Sequence, residues 1–124
     1  MIEGVSWVGV ETQRFAEACR FFEEVFGLRR RSAAVDFAEL ECPNGDLVEI
    51  FGPRSGHPAW QFARNPVVVG FSVEDIESAR RRLERSGVTL LGDLVRDPEG
   101  GAAWQHFRGP DGLVFELNHY GTSA

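Results

Sequence analysis

The chain has 124 residues, of which 43% are hydrophobic and 26% are charged, and these values are typical of one globular domain. Nineteen acidic residues against thirteen basic ones give a formal net charge of -6, which disfavours nucleic acid as a partner. No apolar run reaches the length of a membrane span, and the first residues lack the pattern of a signal peptide. We therefore expect a single domain over residues 1–124 that is soluble and cytoplasmic, with neither a nucleic-acid nor a membrane partner.

The first predicted elements are a strand and a helix, and the same pair recurs later in the chain. The segment VGVETQRFAEACRFF from Val8 aligns with VGFSVEDIESARRRL from Val69, and each is typical of a strand followed by a helix. Gly27 follows the first helix, where a left-handed residue is preferred, and Ser86-Gly87 ends the second. The apolar stripe of the first helix has helical spacing and consists of Phe15, Ala18, Cys19, Phe22, Val25 and Phe26.

Three extended segments follow each helix. A tight turn, Asn44-Gly45 in the first half and Pro110-Asp111-Gly112 in the second, leads into the last strand. The chain therefore predicts an α+β fold of two βαβββ modules, at about 1–52 and 67–119, joined by a proline-containing linker at 53–66. The predicted strands after the helices are 28–34, 36–42 and 46–52, then 88–95, 102–108 and 113–119.

The last strand of each module carries a glutamate on a mixed face. Side chains alternate along a strand, so Val48 and Ile50 point away from Glu49, and Glu116 has the matching position in the second module. In the first strand, Trp7 and Glu11 share one side. The apolar faces are expected to meet the helices. We interpret the mixed faces as the lining of a cleft.

The hairpin before the last strand decides which side chains accompany Glu116. A four-residue Gly-Pro-Asp-Gly loop pairs Gln105 with Glu116, and this pairing places Gln105 and Phe107 on the mixed face. His106 is then out of phase with Glu116, and His119 lies on the opposite side. A shifted register that brings His106 to Glu116 is the alternative.

The doubled βαβββ unit, the helix end FFEEVFGL and the terminal segment GPDGLVFEL resemble the vicinal oxygen chelate superfamily. That group includes glyoxalase I, bleomycin-resistance proteins, fosfomycin-resistance enzymes and extradiol dioxygenases. The resemblance covers nearly the whole chain. It implies that the two modules form an open curved mixed sheet with a concave cleft and with the helices outside. It also implies a homodimer.

Enzymes of this superfamily typically hold a divalent metal with one ligand on the first strand and one on the last strand of each module, often His and then Glu. The matching positions in this chain are Trp7, Glu49, Val68 and Glu116, and the side chains of Trp7 and Val68 have no lone pair to donate. We therefore expect no metal and no other cofactor, and a divalent metal is disfavoured. His57, in the linker, is interpreted as a surface or core-edge residue rather than a ligand.

The resemblance and the lost ligands together favour a metal-independent small-molecule-binding protein of the glyoxalase/bleomycin-resistance type, which sequesters an aromatic or cationic compound. The alternative is a glyoxalase-like lyase, isomerase or dioxygenase with Glu49 and Glu116 as catalytic residues, with or without a divalent metal. In a third interpretation the glutamates are relics, paired with Arg64, Arg96 or Arg108, in a structural or regulatory protein. The candidate ligand-binding residues are Trp7, Glu11, Phe51, Trp60, Val68, Gln105 and Phe107.

Overall fold

The computed structural model describes residues 1–120, and the tertiary contacts divide the chain into two compact units. The first unit is Trp7–Val68. The second unit combines Met1–Ser6 with the chain from Val69 onward. Both boundaries fall inside strands, so the N-terminal strand contributes residues to each unit.

The first module contains the predicted strand, helix and three strands. Its elements are β1 (Ile2–Glu11), α1 (Phe15–Arg20), β2 (Arg29–Ala34), β3 (Phe37–Glu41) and β4 (Leu47–Phe51). The strands pair in the order β2-β3-β4-β1. The β1–β4 pair is parallel and the other two pairs are antiparallel, with Gly9 opposite Glu49 and Glu39 opposite Glu49. This open mixed sheet is the framework of the first unit.

One face of this sheet packs against α1 and forms the core of the first unit. The predicted alternation in β4 is confirmed, because Val48 and Ile50 belong to this core. Each large apolar side chain buried there contributes about 1.5–3 kcal/mol. The opposite face, which carries Trp7, Glu49 and Phe51, is called the Glu49 face below. The buried residues on the α1 side are Cys19, Ala38, Leu40 and Ile50, packed against Val10, Phe15, Ala18, Phe22, Leu28 and Val48.

The first helix departs from its predicted stripe in its last turn. It continues beyond α1 as a π-helical turn over Phe21–Val25, in which the Phe26 amide donates to the Phe21 carbonyl at 3.4 Å. A π turn contains more residues than an α turn and changes the direction of the side chains that follow it. Val25 and Phe26 are therefore 66% and 62% exposed, and the prediction that they complete the buried stripe is wrong.

The second module repeats the plan. Its elements are β5 (Val67–Val73), α2 (Ile76–Arg85), β6 (Thr89–Arg96), β7 (Ala103–Arg108) and β8 (Val114–His119). The strands pair in the order β5-β8-β7-β6, with β5 and β8 parallel and the other pairs antiparallel. The Asp75 carboxylate caps α2 by accepting a hydrogen bond from the Ser78 amide at 3.1 Å. The core of the second unit consists of Val73, Ile76, Ala79, Ala103 and Leu117.

The predicted α+β class and the two βαβββ modules are confirmed. Each strand predicted after the helices lies within one residue of its predicted bounds. The predicted end of the second helix is also confirmed, because α2 stops before Ser86 and Gly87 has a φ of 79°. Among the helices of residues 1–120, none combines the length and the apolar character that a membrane crossing requires.

The register of the β7–β8 hairpin differs from the prediction. Arg108 pairs with Val114, and His106 pairs with Glu116. The connecting loop therefore has one residue more than predicted, and the Gly109 amide donates across it to the Leu113 carbonyl at 2.7 Å. Two successive residues with positive φ, at Asp111 and Gly112, close the loop. The predicted pairing of Gln105 with Glu116 is wrong. Because side chains alternate, this one-residue change moves Gln105 and Phe107 to the other face of the sheet.

Candidate functional site

The central feature of the Glu49 face is a hydrogen bond between Trp7 and Glu49. Trp7 Nε1 donates to Glu49 Oε1 at 2.8 Å, and Trp7 is 4% exposed. The indole ring lies over Gly9, where a Cβ atom would collide with Trp7 Cη2. Glycine at this position therefore provides the space in which the indole reaches the neighbouring strand.

Glu39 stands directly opposite Glu49 on β3, and sequence reasoning missed it. The Glu39 carboxyl group lies close enough to raise the pKa of Glu49. Arg31 Nε lies 3.4 Å from Glu39 Oε1, and Ser32 Oγ donates to the same oxygen at 3.3 Å. The alternation of FAELE in β3, which places its two glutamates on one side, is the signal that could have found this residue.

Burial raises the pKa of Glu49 from 4.5 to about 8. The adjacent Glu39 carboxyl adds to the rise in the pKa, because two carboxylates in contact repel each other. The hydrogen bond from Trp7 and the charge of Arg31 lower the pKa of Glu49, but their effects are smaller than that of burial. At neutral pH Glu49 is therefore mainly protonated.

Aromatic rings surround Phe51 on the same face. The Phe51 centroid lies 6.5 Å from the Trp7 ring in an edge-on arrangement, and 5.1 Å from the rings of both Phe37 and Phe62. Phe62 is 6% exposed and comes from the segment predicted as a linker, so the sequence pattern did not identify it. The candidate Phe51 is thus part of a packed aromatic group in the first unit.

Glu11 is engaged by the same segment. Its Oε2 lies 2.8 Å from His57 Nε2, and His57 Nδ1 lies 2.5 Å from Ser55 Oγ. The side chains of Glu11 and His57 are 32% and 14% exposed. The interpretation of His57 as a core-edge residue agrees with its burial, but the pattern did not reveal its partners. Glu11, proposed as a companion of Glu49, is instead the partner of an imidazole.

The second unit contains a buried polar cluster around Glu116. Asn118 Nδ2 donates to Glu116 Oε2 at 3.0 Å, and Ser6 Oγ donates to Asn118 Oδ1 at 2.7 Å. His106 Nε2 lies 3.8 Å from Glu116 Oε1. Burial lowers the pKa of His106 from 6.5 to about 4, so the imidazole is neutral at neutral pH. The alternative register, in which His106 pairs with Glu116, is therefore the one that occurs. The expectation that His106 is out of phase with Glu116 is wrong.

Gln105 and Phe107 lie on the side of α2. Gln105 is completely buried, Arg80 Nε donates to its Oε1 at 2.9 Å, and its Nε2 donates to the carbonyls of Leu91 and Gly92 at 3.1 and 3.0 Å. Phe107 packs against the core cluster under α2. Both residues therefore stabilise the core, and the reason for choosing them as ligand-binding residues disappears with the predicted register.

The remaining candidates have simpler surroundings. Trp60 is half-buried in the turns between β4 and β5, and Val68 is completely buried in β5. Arg96 pairs with Glu77 of α2 at 2.5 Å rather than with Glu116. The interpretation of the glutamates as relics neutralised by arginine therefore loses one of its three proposed partners.

The side chains present do not fit the metal of the superfamily. Trp7 donates a hydrogen bond to Glu49 and has no lone pair to offer a metal, and the side chain of Val68 is a hydrocarbon. Within residues 1–120, no group of three or more His, Cys, Asp or Glu side chains is placed to hold a metal ion.

The family model described as Glyoxalase/Bleomycin resistance protein/Dioxygenase superfamily matches residues 4–117. A search of curated protein sequences gave no match.

Solved structures cover almost the whole chain. A variant of methylmalonyl-CoA epimerase from Streptomyces coelicolor, in complex with 2-nitronate-propionyl-CoA, is 16% identical, with 98% of this chain and 100% of that chain covered and a TM-score of 0.73. The methylmalonyl-CoA epimerase from Mycobacterium tuberculosis is 18% identical, with 98% and 90% covered and a TM-score of 0.73. A superfamily member from Vibrio splendidus is 18% identical, with 96% and 99% covered and a TM-score of 0.67. At these identities the likeness shows the fold.

Proposed function

The chain belongs to the Glyoxalase/Bleomycin resistance protein/Dioxygenase superfamily, and from this premise we propose that it binds a small organic molecule without a metal ion. The molecule carries an aromatic ring and a positive charge, and the role of the protein is to sequester it. The Glu49 face of the first unit is the part of the chain that recognises this ligand.

The observation that carries the proposal is the hydrogen bond from Trp7 to Glu49. By resemblance, these two positions hold metal ligands in enzymes of the superfamily. In this chain an indole occupies one position and uses its single polar group to bind the other. The pair offers a metal only one lone-pair donor, the carboxyl group of Glu49, and the same carboxyl group can pair with an organic cation.

The charge of the face favours a cation over a neutral compound. Glu49 holds a proton at neutral pH, because burial and the neighbouring Glu39 raise its pKa to about 8. A cation bound next to Glu49 stabilises its ionised form, so binding displaces the proton. A cation over an aromatic ring gains about 0.5–2 kcal/mol in addition.

Calorimetric titration with a simple aromatic cation tests the proposal. N-methylquinolinium is the probe, 2-naphthol is the neutral aromatic comparison, and the protein is treated with EDTA. We expect stoichiometric binding of the cation and much weaker binding of 2-naphthol. The proposal would be overturned if EDTA-treated protein showed no binding of N-methylquinolinium, or if it bound N-methylquinolinium and 2-naphthol equally.

Single substitutions distinguish recognition of the cation by Glu49 from attraction by the net negative charge of the chain. Glu49→Gln is expected to weaken N-methylquinolinium binding by about tenfold or more, since loss of a partly buried opposite charge costs at least about 1.4 kcal/mol. Glu84→Gln is the matched control, because Glu84 is an exposed glutamate of α2 in the second unit. Equal effects of the two substitutions would attribute binding to net charge alone and contradict the proposed site.

Proton transfer is the second candidate function, and the raised pKa of Glu49 favours it. A carboxyl group with a pKa of about 8 is suited to remove a proton next to a carbonyl near neutral pH. The structurally similar epimerases act on methylmalonyl-CoA according to their names. Incorporation of solvent deuterium into methylmalonyl-CoA is the test. Loss of exchange with retained binding in Glu49→Gln or Glu116→Gln would favour catalysis, whereas loss of binding alone would favour sequestration.

We also propose a homodimer, and the support for it is the superfamily resemblance. Size-exclusion chromatography with light scattering at micromolar concentration is the test. A mass of twice 13.8 kDa is expected. A monomer across the whole concentration range would exclude the dimer.

A further inference from the structure

Ser55, His57 and Glu11 form a chain of hydrogen bonds that the proposed function does not use. Ser55 Oγ lies 2.5 Å from His57 Nδ1, and His57 Nε2 lies 2.8 Å from Glu11 Oε2. A hydroxyl next to an imidazole that is itself held by a carboxylate is the arrangement of an activated serine nucleophile. All three residues belong to the first unit.

The hydrogen-bond partners fix the tautomer of His57. An ionised carboxylate only accepts hydrogen bonds, so Glu11 requires a proton on His57 Nε2. In the neutral imidazole the other nitrogen, Nδ1, then carries a lone pair and accepts the hydroxyl proton of Ser55. The tautomer assigned in this way has its basic nitrogen at the serine and its N–H at the carboxylate, as nucleophilic catalysis requires.

The rest of the first unit holds the imidazole in place. The ring of His57 meets Phe51 and Phe62 edge-on, with centroids 5.8 and 5.1 Å away. These contacts limit its rotation and exclude water from its faces. Glu11 is held at the end of β1, where its amide donates to the Pro66 carbonyl at 2.9 Å. The base and its carboxylate are thus preorganised by packing.

Ser55 is accessible to a ligand. It lies half-exposed in the turn after β4, between the exposed residues Arg54 and Gly56. The amide of Gly56 follows the serine in the chain, and among residues 1–120 it forms no hydrogen bond. The amide after a nucleophilic serine is a common donor to the oxyanion of acyl transfer.

From this geometry we infer that Ser55, His57 and Glu11 form a second site, beside the aromatic group around Phe51 and apart from the Trp7–Glu49 hydrogen bond, that hydrolyses small carboxylic esters. Ser55 Oγ bonds to the acyl carbon while its proton passes to His57 Nδ1. The bond from the acyl carbon to the leaving oxygen breaks, and that oxygen takes the proton from Nδ1. Water then bonds to the acyl carbon, its proton passes to His57, and Ser55 Oγ is released and reprotonated. The products are one carboxylic acid and one alcohol or phenol.

The experiment is covalent labelling of the whole protein with diisopropyl fluorophosphate, followed by peptide mass spectrometry and by hydrolysis of p-nitrophenyl acetate. Ser55 is expected to be the labelled residue. His57→Gln is expected to slow labelling and ester hydrolysis by about 100-fold, the contribution of a positioned general base. Glu11→Gln keeps an acceptor for His57 Nε2 and removes the charge, and it is expected to have an intermediate effect.

Ser86→Ala is the control, because Ser86 is an exposed serine at the end of α2, and this substitution should change neither reaction. Labelling of wild-type protein requires no variant to fold, so it is decisive by itself. Wild-type protein without label on Ser55 would overturn the inference. So would ester hydrolysis that persists unchanged in Ser55→Ala, because such activity would come from the imidazole alone.

Discussion

The indole nitrogen of Trp7 donates a 2.8 Å hydrogen bond to Glu49 Oε1, and this bond joins the first and last strands of the first module. The same carboxyl group stands opposite Glu39. Its pKa is lowered by the hydrogen bond from Trp7 and raised by Glu39. The chemistry of the first unit therefore depends on how Glu49 is protonated.

Trp7→Phe is expected to raise the pKa of Glu49 above its value of about 8. Phenylalanine keeps an aromatic ring but removes the N–H group whose hydrogen bond lowers the pKa of this carboxyl. The free energy of unfolding is expected to fall by about 0.5–1.5 kcal/mol with the lost hydrogen bond. Carbon-13 NMR of the glutamate carboxyls during a pH titration measures the shift. Phe62→Leu removes a ring without removing a donor, and a rise in the pKa of Glu49 in this control as well would contradict the account.

The stability of the protein is expected to fall as pH rises from 6.5 to 8. Glu49 has a higher pKa in the folded chain, so the folded state binds more protons than the unfolded state between pH 4.5 and about 8. Stability from Glu49 is therefore largest at low pH and is lost as pH rises through about 8. The slope is at most about 1.4 kcal/mol per pH unit.

His106 gives an opposite slope at lower pH, because burial lowers its pKa from 6.5 to about 4 and stability falls as pH decreases across that interval. His106 therefore adds no slope above pH 6.5, where that of Glu49 remains. Urea denaturation at several pH values measures both slopes, and Glu49→Gln is expected to flatten the upper one. An unchanged upper slope in Glu49→Gln would show that another group is responsible.

Asn118→Ala is expected to destabilise the protein by about 2–4 kcal/mol. Asn118 is completely buried, donates to Glu116 and accepts from Ser6, so its truncation removes a hydrogen-bond partner from each of two buried groups. Asn44→Ala, in an exposed turn, is the control and is expected to cost much less. Chemical denaturation measures the difference. Equal costs would mean that the polar cluster around Glu116 contributes little to the fold.

Gln105→Leu is expected to reduce stability without changing ligand affinity. The side-chain amide of Gln105 accepts a hydrogen bond from Arg80 and donates to the carbonyls of Leu91 and Gly92 beside α2. Leucine would remove these hydrogen bonds at a cost of about 1–3 kcal/mol. Denaturation and titration with N-methylquinolinium on the same preparation provide the two measurements. A folded variant with unchanged stability and weakened binding would restore Gln105 as a ligand-binding residue.

The secondary structure was predictable because its signals are local. Alternation along single strands placed Val48 and Ile50 on the helix side and Glu49 on the other. The repeat located both modules. The register of the last hairpin was not predictable, because the length of its loop depends on backbone angles at Asp111 and Gly112 that composition does not determine. The one-residue error in the predicted loop length placed both Gln105 and Phe107 on the wrong face of the sheet.

The candidate site was predictable only in part. The sequence identified Trp7 and Glu49, but their hydrogen bond depends on Gly9 leaving room for the indole. Glu39 was visible as alternation in β3 and was overlooked. The partnership of His57 with Glu11 joins residues 46 positions apart, and no spacing rule for one strand or helix predicts such a contact.

The measurement that tests the central claim most directly is the number of protons released when EDTA-treated protein binds N-methylquinolinium at pH 7. Calorimetric titration in two buffers with different ionisation enthalpies gives this number. Metal-independent recognition at the Glu49 face predicts binding with release of about one proton from Glu49, and little release in Glu49→Gln. Binding that appears only after a divalent metal is added, or equal proton release in both proteins, would contradict the claim.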